Sequence, residues 1–418
     1  MHEFSFRDNE LYCEDIKVAD IAAKVGTPFY LYSYATLIDH YEKLKAAFRP
    51  INPLIAFSMK SNSNLAVVRA LVKNGAGLDI VSGGELYRAS LTGVDPKKVV
   101  YAGVGKKPDE IADAIKFGIL FFNTESEDEL DEIQSVSASL GRKVSVAVRI
   151  NPDVIPRTHR YVATGKGETK FGLDFDTAHK IFNMRWKYPN LNIRGIHVHI
   201  GSQILDAKPF EDAIEKVLEF LKARKIDVEY FNIGGGLGIM YSIENPQTAK
   251  SFAGKVIPLL KRSRLKIILE PGRFISGNSG ILVTRVIYTK RTPRKKFVIV
   301  DSGMSDLIRP SLYEAYHKIV PVKVAENSSD TCEKVDIVGP ICESGDFLGK
   351  DRLLPQALQG DLLAVLGAGA YGFTMSSNYN ARPRPAEVMV VKKAFYVVRR
   401  HETYKDLVKG ETIPKVLR

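Results

Sequence analysis

Cysteine is scarce: Cys13, Cys332 and Cys342 are the only three in 418 residues, and no two of them form a Cys-x-x-Cys pair. They are too few to staple a chain of this length, and they fit a reducing, cytoplasmic compartment in which any single thiol is available to react. Long apolar runs are also missing. The longest, LLAVLGAGAYGF from Leu362 to Phe373, falls well short of the roughly 18 to 20 residues that a membrane span needs. The first twenty residues carry acids throughout and lack an apolar stretch of the secretory kind, so no signal peptide and no membrane association are expected. Basic clusters are lacking too, although the formal net charge is +12. The densest run, KRTPRKK from Lys290 to Lys296, has no interleaved aromatic residues. It reads as a solvated connecting loop, and no nucleic-acid partner is expected. No internal repeat or low-complexity tract is evident.

What is present is an ordinary globular composition, 45% apolar and 26% charged, in a chain long enough for one large domain and a smaller one. Eight short apolar runs begin at Leu54, Gly77, Val99, Ile119, Val144, Gly195, Val228 and Lys266. Helical periodicity fills most of the intervals, as in FEDAIEKVLEFLKAR. Eight such alternations predict a (β/α)8 TIM barrel over residues 28–275. The fifth interval contains TGKGETKFG, Thr164 to Gly172, a loop expected over the barrel mouth. After residue 275 the pattern becomes FVIVDSG, IVPVKVA, KVDIVG, DLLAVLG and EVMVVKKAFYVVRR, which predicts a mostly antiparallel β domain over 276–418. Residues 1–27 are expected to add a strand to it.

Active sites of TIM barrels lie at the C-terminal ends of the strands, so the residues closing each run are the candidates. Lys60 closes the first run in IAFSMKSN. It suits a Schiff-base former with a desolvated amine, or a surface lysine that snorkels. The sixth run ends in HVHIGS, where His197 and His199 share one face of a strand. Two imidazoles suggest a metal pair, but no further histidine closes another strand, so no metal is expected and a ring stacked on a flat cofactor is preferred. The seventh run opens into GGGLG, Gly234 to Gly238, either a phosphate cradle or a tight turn. The eighth ends in EPGR, Glu270 to Arg273, either an acid for a pyridine nitrogen or a surface ion pair. An amine, a stacking ring, a phosphate cradle and an acid at four strand ends converge on pyridoxal 5'-phosphate.

These residues, in this order, resemble the barrel-type, alanine-racemase-like class of pyridoxal-phosphate enzymes. From about Thr27 to Asn380 the chain is similar to the diaminopimelate decarboxylase family, most specifically in SGMSDLIRPSLYEAYH, CESGDFLG and GAGAYG. The first motif departs from the family's usual Tyr-Ala-x-Lys-Ala-Asn, reading FSMKSN here, with the lysine and Asn62 retained. The resemblance implies that Lys60 holds the cofactor covalently and His199 stacks on its ring. It implies that Ser202, Gly235, Gly236, Gly272, Arg273 and Tyr371 hold the phosphate and ring, with Glu270 on the pyridine nitrogen. Arg273, Arg309, Tyr313, Glu343 and Tyr371 would bind substrate, and Cys342 would return a proton to carbon. The implied assembly is a homodimer with shared sites, and the implied reaction converts meso-2,6-diaminopimelate to L-lysine and CO2. A distal pocket with Arg309 beside Glu343 suits a substrate end carrying both an amine and a carboxylate. The alternatives are a decarboxylase for another basic amino acid or carboxylated polyamine, a racemase, or a non-catalytic homologue. The racemase needs no CESGD segment, and retention of both Lys60 and Cys342 argues against the homologue.

Overall fold

The eight apolar runs become parallel strands because they are almost continuously buried, with no alternating polar face. In the computed structural model, which describes residues 3–154, 170–324 and 332–417, they are β1 (Leu54–Ser58), β2 (Gly77–Ile80), β3 (Val99–Tyr101), β4 (Phe121–Thr124), β5 (Val144–Arg149), β6 (Leu191–His197), β7 (Tyr230–Asn232) and β8 (Lys266–Leu269). They close into a barrel in chain order, with β8 paired back onto β1 through Ile268–Leu54 and Leu269–Ile55. Ala56, Val100, Phe121, Ala147 and Ile268, from five of the eight strands, pack together into a filled apolar cluster.

The helices between strands bury one stripe each. Lys208–Ala223 turns Phe210, Ala213, Ile214, Val217, Phe220 and Leu221 inward, at the spacing a 3.6-residue period requires. Several βα loops end in a side chain that caps the next helix: Asn64, Ser82, Ser126 and Asp174 each accept an otherwise orphaned backbone N–H. The loop ends around the mouth are thereby held in place. The expected loop Thr164–Gly172 lies outside the described residues up to 169. Its far end is fixed where Gly172 N–H donates to Glu125 Oε2 at 3.2 Å.

Contacts divide the chain into Leu37–Ser276 and a second unit made of Met1–Thr36 with Gly277–Arg418. The expected first boundary at residue 28 thus moves. Phe29–Ser33 is fully buried and pairs antiparallel with Gly280–Val283 and parallel with Ala386–Val390, so its hydrogen bonds hold it in the β unit. Phe4–Arg7, Glu10–Cys13 and Ile16–Lys17 form their own three-stranded sheet, linked onward by the bridge Glu10–Lys323.

The large sheet of this unit runs Phe347–Pro355, Cys332–Val338, Lys296–Val300, Gly280–Arg291, Phe29–Ser33, Ala386–Val391 and Ala394–Arg399. Ile319–Pro321 and Leu362–Val365 pair onto it. Most pairs are antiparallel; Lys296–Val300 with Cys332–Val338 and Phe29–Ser33 with Ala386–Val391 are parallel. Two strands are weakly marked in the sequence. Gly280–Arg291 starts apolar, ends polar and shifts register between Val286 and Tyr288, while Phe347–Pro355 is half polar. Among the described residues no helix is long and apolar enough to cross a membrane.

Candidate active site

Lys60 lies in the single 3-10 turn Met59–Ser61 that follows β1. The strand itself is tied to the EPGR segment, since Ser58 N–H donates to the Pro271 carbonyl at 3.0 Å. The Lys60 side chain is 32% exposed, and its Nζ lies 3.4 Å from Oδ2 of Asp79 on β2, which is fully buried. Ser58 Oγ lies 2.6 Å from the same oxygen and 3.1 Å from the Glu270 carbonyl. Burial, together with the charge of Glu270, pushes the Asp79 carboxyl up to about 7, against the opposing pull of Lys60 and Ser58. Glu85, at the first turn of the next helix, is pushed up to about 7 by burial as well.

Glu270 follows β8 and is 2% exposed. Its Oε1 accepts from Asn232 Nδ2 at 2.5 Å and from Asn123 Nδ2 at 3.2 Å, and its Oε2 lies 3.3 Å from His197 Nε2. Burial pushes its carboxyl upward, but His197 and Lys60 outweigh that, and the net position is well below the ordinary carboxylate range. His197, 1% exposed, is itself lowered by burial in spite of Glu270. The arrangement therefore keeps a buried anion beside the His197 ring, held by amide donors from β4 and β7.

His199 does a different job from His197. It lies beyond the end of β6, where its Nδ1 accepts from Gly235 N–H at 3.2 Å, which places its proton on Nε2. Burial, then Lys60 and Arg149, hold it well below its ordinary value, so the ring is neutral. Arg149, buried at the end of β5, pairs with Glu125 at 2.8 Å and reaches the His199 carbonyl at 3.5 Å.

The glycine loop after β7 packs too closely for side chains. A Cβ on Gly235 would sit 2.0 Å from the Glu270 carbonyl oxygen, and one on Gly236, at φ +119°, would sit 2.4 Å from that of Gly201. The loop carrying Ser202 is latched to it by Gln203, whose amide accepts from and donates to the Ile239 backbone at 3.2 and 2.6 Å. Arg273, buried after β8, donates through Nε and Nη2 to Ser202 Oγ at 3.2 and 3.0 Å, and through Nη1 to Tyr241 at 2.7 Å. Gly272 packs against Ser61, to which a Cβ would approach within 3.0 Å. Lys60, His199, Ser202, Gly235, Gly236, Glu270, Gly272 and Arg273 thus cluster at the C-terminal ends of the barrel strands. Sequence reading missed Asp79, Asn123, Asn232, His197's link to Glu270, and Tyr241. Three of these are polar residues inside apolar runs (GLDIV, ILFFN, VEYFNI), and that misfit was the available signal.

The remaining candidates lie in the β unit. Arg309 opens the short helix Arg309–Tyr313 and is 5% exposed. Its Nε donates to His317 Nε2 at 3.2 Å, and its guanidinium lies 5.9 Å from the Tyr313 ring centroid. In the CESGD loop, Asp346 is the buried member: its carboxylate accepts from Met304 N–H at 2.6 Å and Ile341 N–H at 2.7 Å. Ser311 Oγ donates to the Gly345 carbonyl at 2.6 Å. Cys342 and Glu343 are exposed, with Cys342 N–H donating to Asn380 Oδ1 at 2.8 Å. Tyr371 is half-buried in the left-handed region, at φ 55°.

Residues 34–277 match the family model for the pyridoxal binding domain of pyridoxal-dependent decarboxylases. A diaminopimelate decarboxylase of Aquifex aeolicus is 48% identical over 407 residues, covering 96% of this chain and 96% of its own length. One from Vibrio cholerae is 45% identical, covering 97% and 98%. A crystal structure of diaminopimelate decarboxylase from M. jannaschii in complex with L-lysine superimposes with a TM-score of 0.94 at 39% identity, covering 100% of this chain and 99% of that one. The chain therefore belongs to the diaminopimelate decarboxylase family within the pyridoxal-dependent decarboxylases. Its residues fit that family's cofactor, pyridoxal 5'-phosphate. The glycine loop, where an added Cβ would clash, brings bare backbone to the mouth, a lysine amine follows β1, and Asp79 Oδ1 is buried without a hydrogen-bond partner.

Proposed function

We propose that this chain decarboxylates meso-2,6-diaminopimelate to L-lysine and CO2, with pyridoxal 5'-phosphate bound through Lys60. The observation that carries the reading is the Lys60–Asp79–Glu270 cluster, an amine and two buried carboxylates at the mouth of a closed barrel. Gly235, Gly236, Ser202 and Arg273 would hold the phosphate, His199 the ring face and Glu270 the pyridine nitrogen; Tyr371 would join them. When bound, the cofactor supplies an electron sink for the bonding pair that CO2 leaves behind.

The chain's own residues do the rest. Glu270 presents an anion whose Oε1 is already committed to Asn232 and Asn123, so it stays oriented and ionised. Asp79, poised near 7, accepts or releases a proton beside the Lys60 amine. Arg309 and Glu343 would bind the distal carboxylate and amine, with Tyr313 and Arg273 completing the substrate contacts. Cys342 would deliver a proton from Sγ to the carbon that lost CO2. Incubation with meso-diaminopimelate and the cofactor, followed by assay of lysine and CO2, tests the reaction. No lysine from a protein that binds the cofactor would overturn it.

The working form is a homodimer in which Cys342 and Glu343 of one copy complete the site opened by Lys60 of the other. Their exposure on a firmly anchored loop supports this. Mixing Lys60→Ala with Cys342→Ala under subunit exchange should restore roughly a quarter of the activity, because about half the dimers are mixed and each has one good site. No recovery despite proven exchange would refute sharing. A cytoplasmic location accords with three free cysteines.

A further inference from the structure

The segment that follows Arg309 folds back on it. The helix Arg309–Tyr313 ends at Glu314, which adopts φ 52°, and Ala315 N–H returns to the Arg309 carbonyl at 3.3 Å. The reversal brings His317, eight residues on, against the guanidinium it left. His317 is fully buried and has two complementary partners. Its Nδ1 faces the Leu366 carbonyl at 2.9 Å, an acceptor only, so Nδ1 carries the proton. Its Nε2 is then a lone pair, and it meets Arg309 Nε at 3.2 Å, a donor only. Leu366 in turn donates its N–H to the Lys318 carbonyl at 2.8 Å, where Ile319–Pro321 pairs with Leu362–Val365. The imidazole is thereby fixed to the sheet at one end and to the guanidinium at the other.

We propose that His317 is a positioning residue for substrate selection: it holds the Arg309 guanidinium in the orientation that reads the distal carboxylate. The contact occupies Nε, so the two-pronged contact compatible with it is the one made by both Nη groups, and this sets the direction from which a carboxylate must approach. The inference rests on the reading of Arg309 given above. An arginine bears at least three rotatable bonds, and without the imidazole its charge would remain while its aim would not.

The test is a pair of substitutions that divide the two bonds. His317→Asn places its amide near Nδ1, keeping the Leu366 contact and giving up Arg309. His317→Gln reaches as far as Nε2, keeping an acceptor for Arg309 and giving up Leu366. In the full-length enzyme with cofactor, H317N should raise KM for meso-diaminopimelate about 10- to 100-fold, the range for a lost hydrogen bond to a charged group. The kcat and the bound cofactor's absorbance should change little. H317Q should bring KM back to within about threefold of wild type. In an Arg309→Lys background H317N should add nothing further. An unchanged KM in H317N, or effects of R309K and H317N that simply multiply, would overturn the proposal. If H317N does not fold, H317Q decides alone, since a KM raised as far as in R309K would refute it. The underlying reading fails separately, when R309K itself leaves KM for diaminopimelate unaltered.

Discussion

The barrel mouth buries its charge, whereas the β unit exposes Cys342 and Glu343 and buries the groups that anchor their loop. Asp79, Glu270 and His197 are all within 2% of complete burial. Glu270 acts on both of the others, and all three are displaced from their ordinary titration ranges, with burial the largest cause. In the β unit, buried Asp346 anchors the loop of Cys342 and Glu343, and buried His317 holds the guanidinium of buried Arg309. These act on loop shape and side-chain aim. One region is tuned electrostatically and the other mechanically, and substitutions should separate the two.

The largest effect is expected in the barrel. Lys60→Ala should lower turnover by about 10⁴-fold or more, at or beyond the upper range for a positioned catalytic group. Borohydride should fix label on Lys60 in the wild type and on nothing in the variant. Label recovered on another lysine would break the assignment. In the β unit, Asp346→Asn replaces a carboxylate that accepts two backbone N–H groups. We expect roughly a tenfold loss in kcat, the scale of a weakened charge-assisted bond, with cofactor affinity and absorbance unchanged. A shift in cofactor binding would mean that the two regions are not separable in this way.

The smallest effect concerns pH. Asp79 rises from an ordinary 3.8 to about 7 in the folded chain, so it binds its proton more tightly when folded than when unfolded. Its contribution to stability is full below about 4 and is lost as pH rises through about 7. In the cofactor-free protein, Asp79→Asn should therefore gain on the wild type in unfolding midpoint as pH rises across that window. Glu85 is raised likewise and stays in both proteins, so the difference between them isolates Asp79. A constant difference from pH 4 to pH 8 would remove Asp79 from the electrostatic cluster.

The barrel was legible because its eight strands are continuous apolar runs at regular intervals, and a rule about strand ends then led to Lys60, His199, Glu270 and Arg273. Phe29–Ser33 escaped because a buried strand reads alike in either unit, and only its partners at Gly280–Val283 and Ala386–Val390 assign it. The polar residues of β2, β4 and β7 were visible as misfits, but nothing local said that Asn123 and Asn232 converge on one carboxylate.

Residue type and periodicity were enough for the barrel strands and for where Lys60 and the GGGLG turn fall along the chain, because each depends on neighbours a few positions away. The motifs of the β unit were readable only through their resemblance to the family. What folding alone decided is which groups are made to share space: Asn232 with Glu270, 38 residues apart, His199 with Gly235, 36 apart, and His317 with Leu366, 49 apart. Titration shifts and side-chain aim arise from distances of about 3 Å, and such distances between remote residues exist only once the strands have closed.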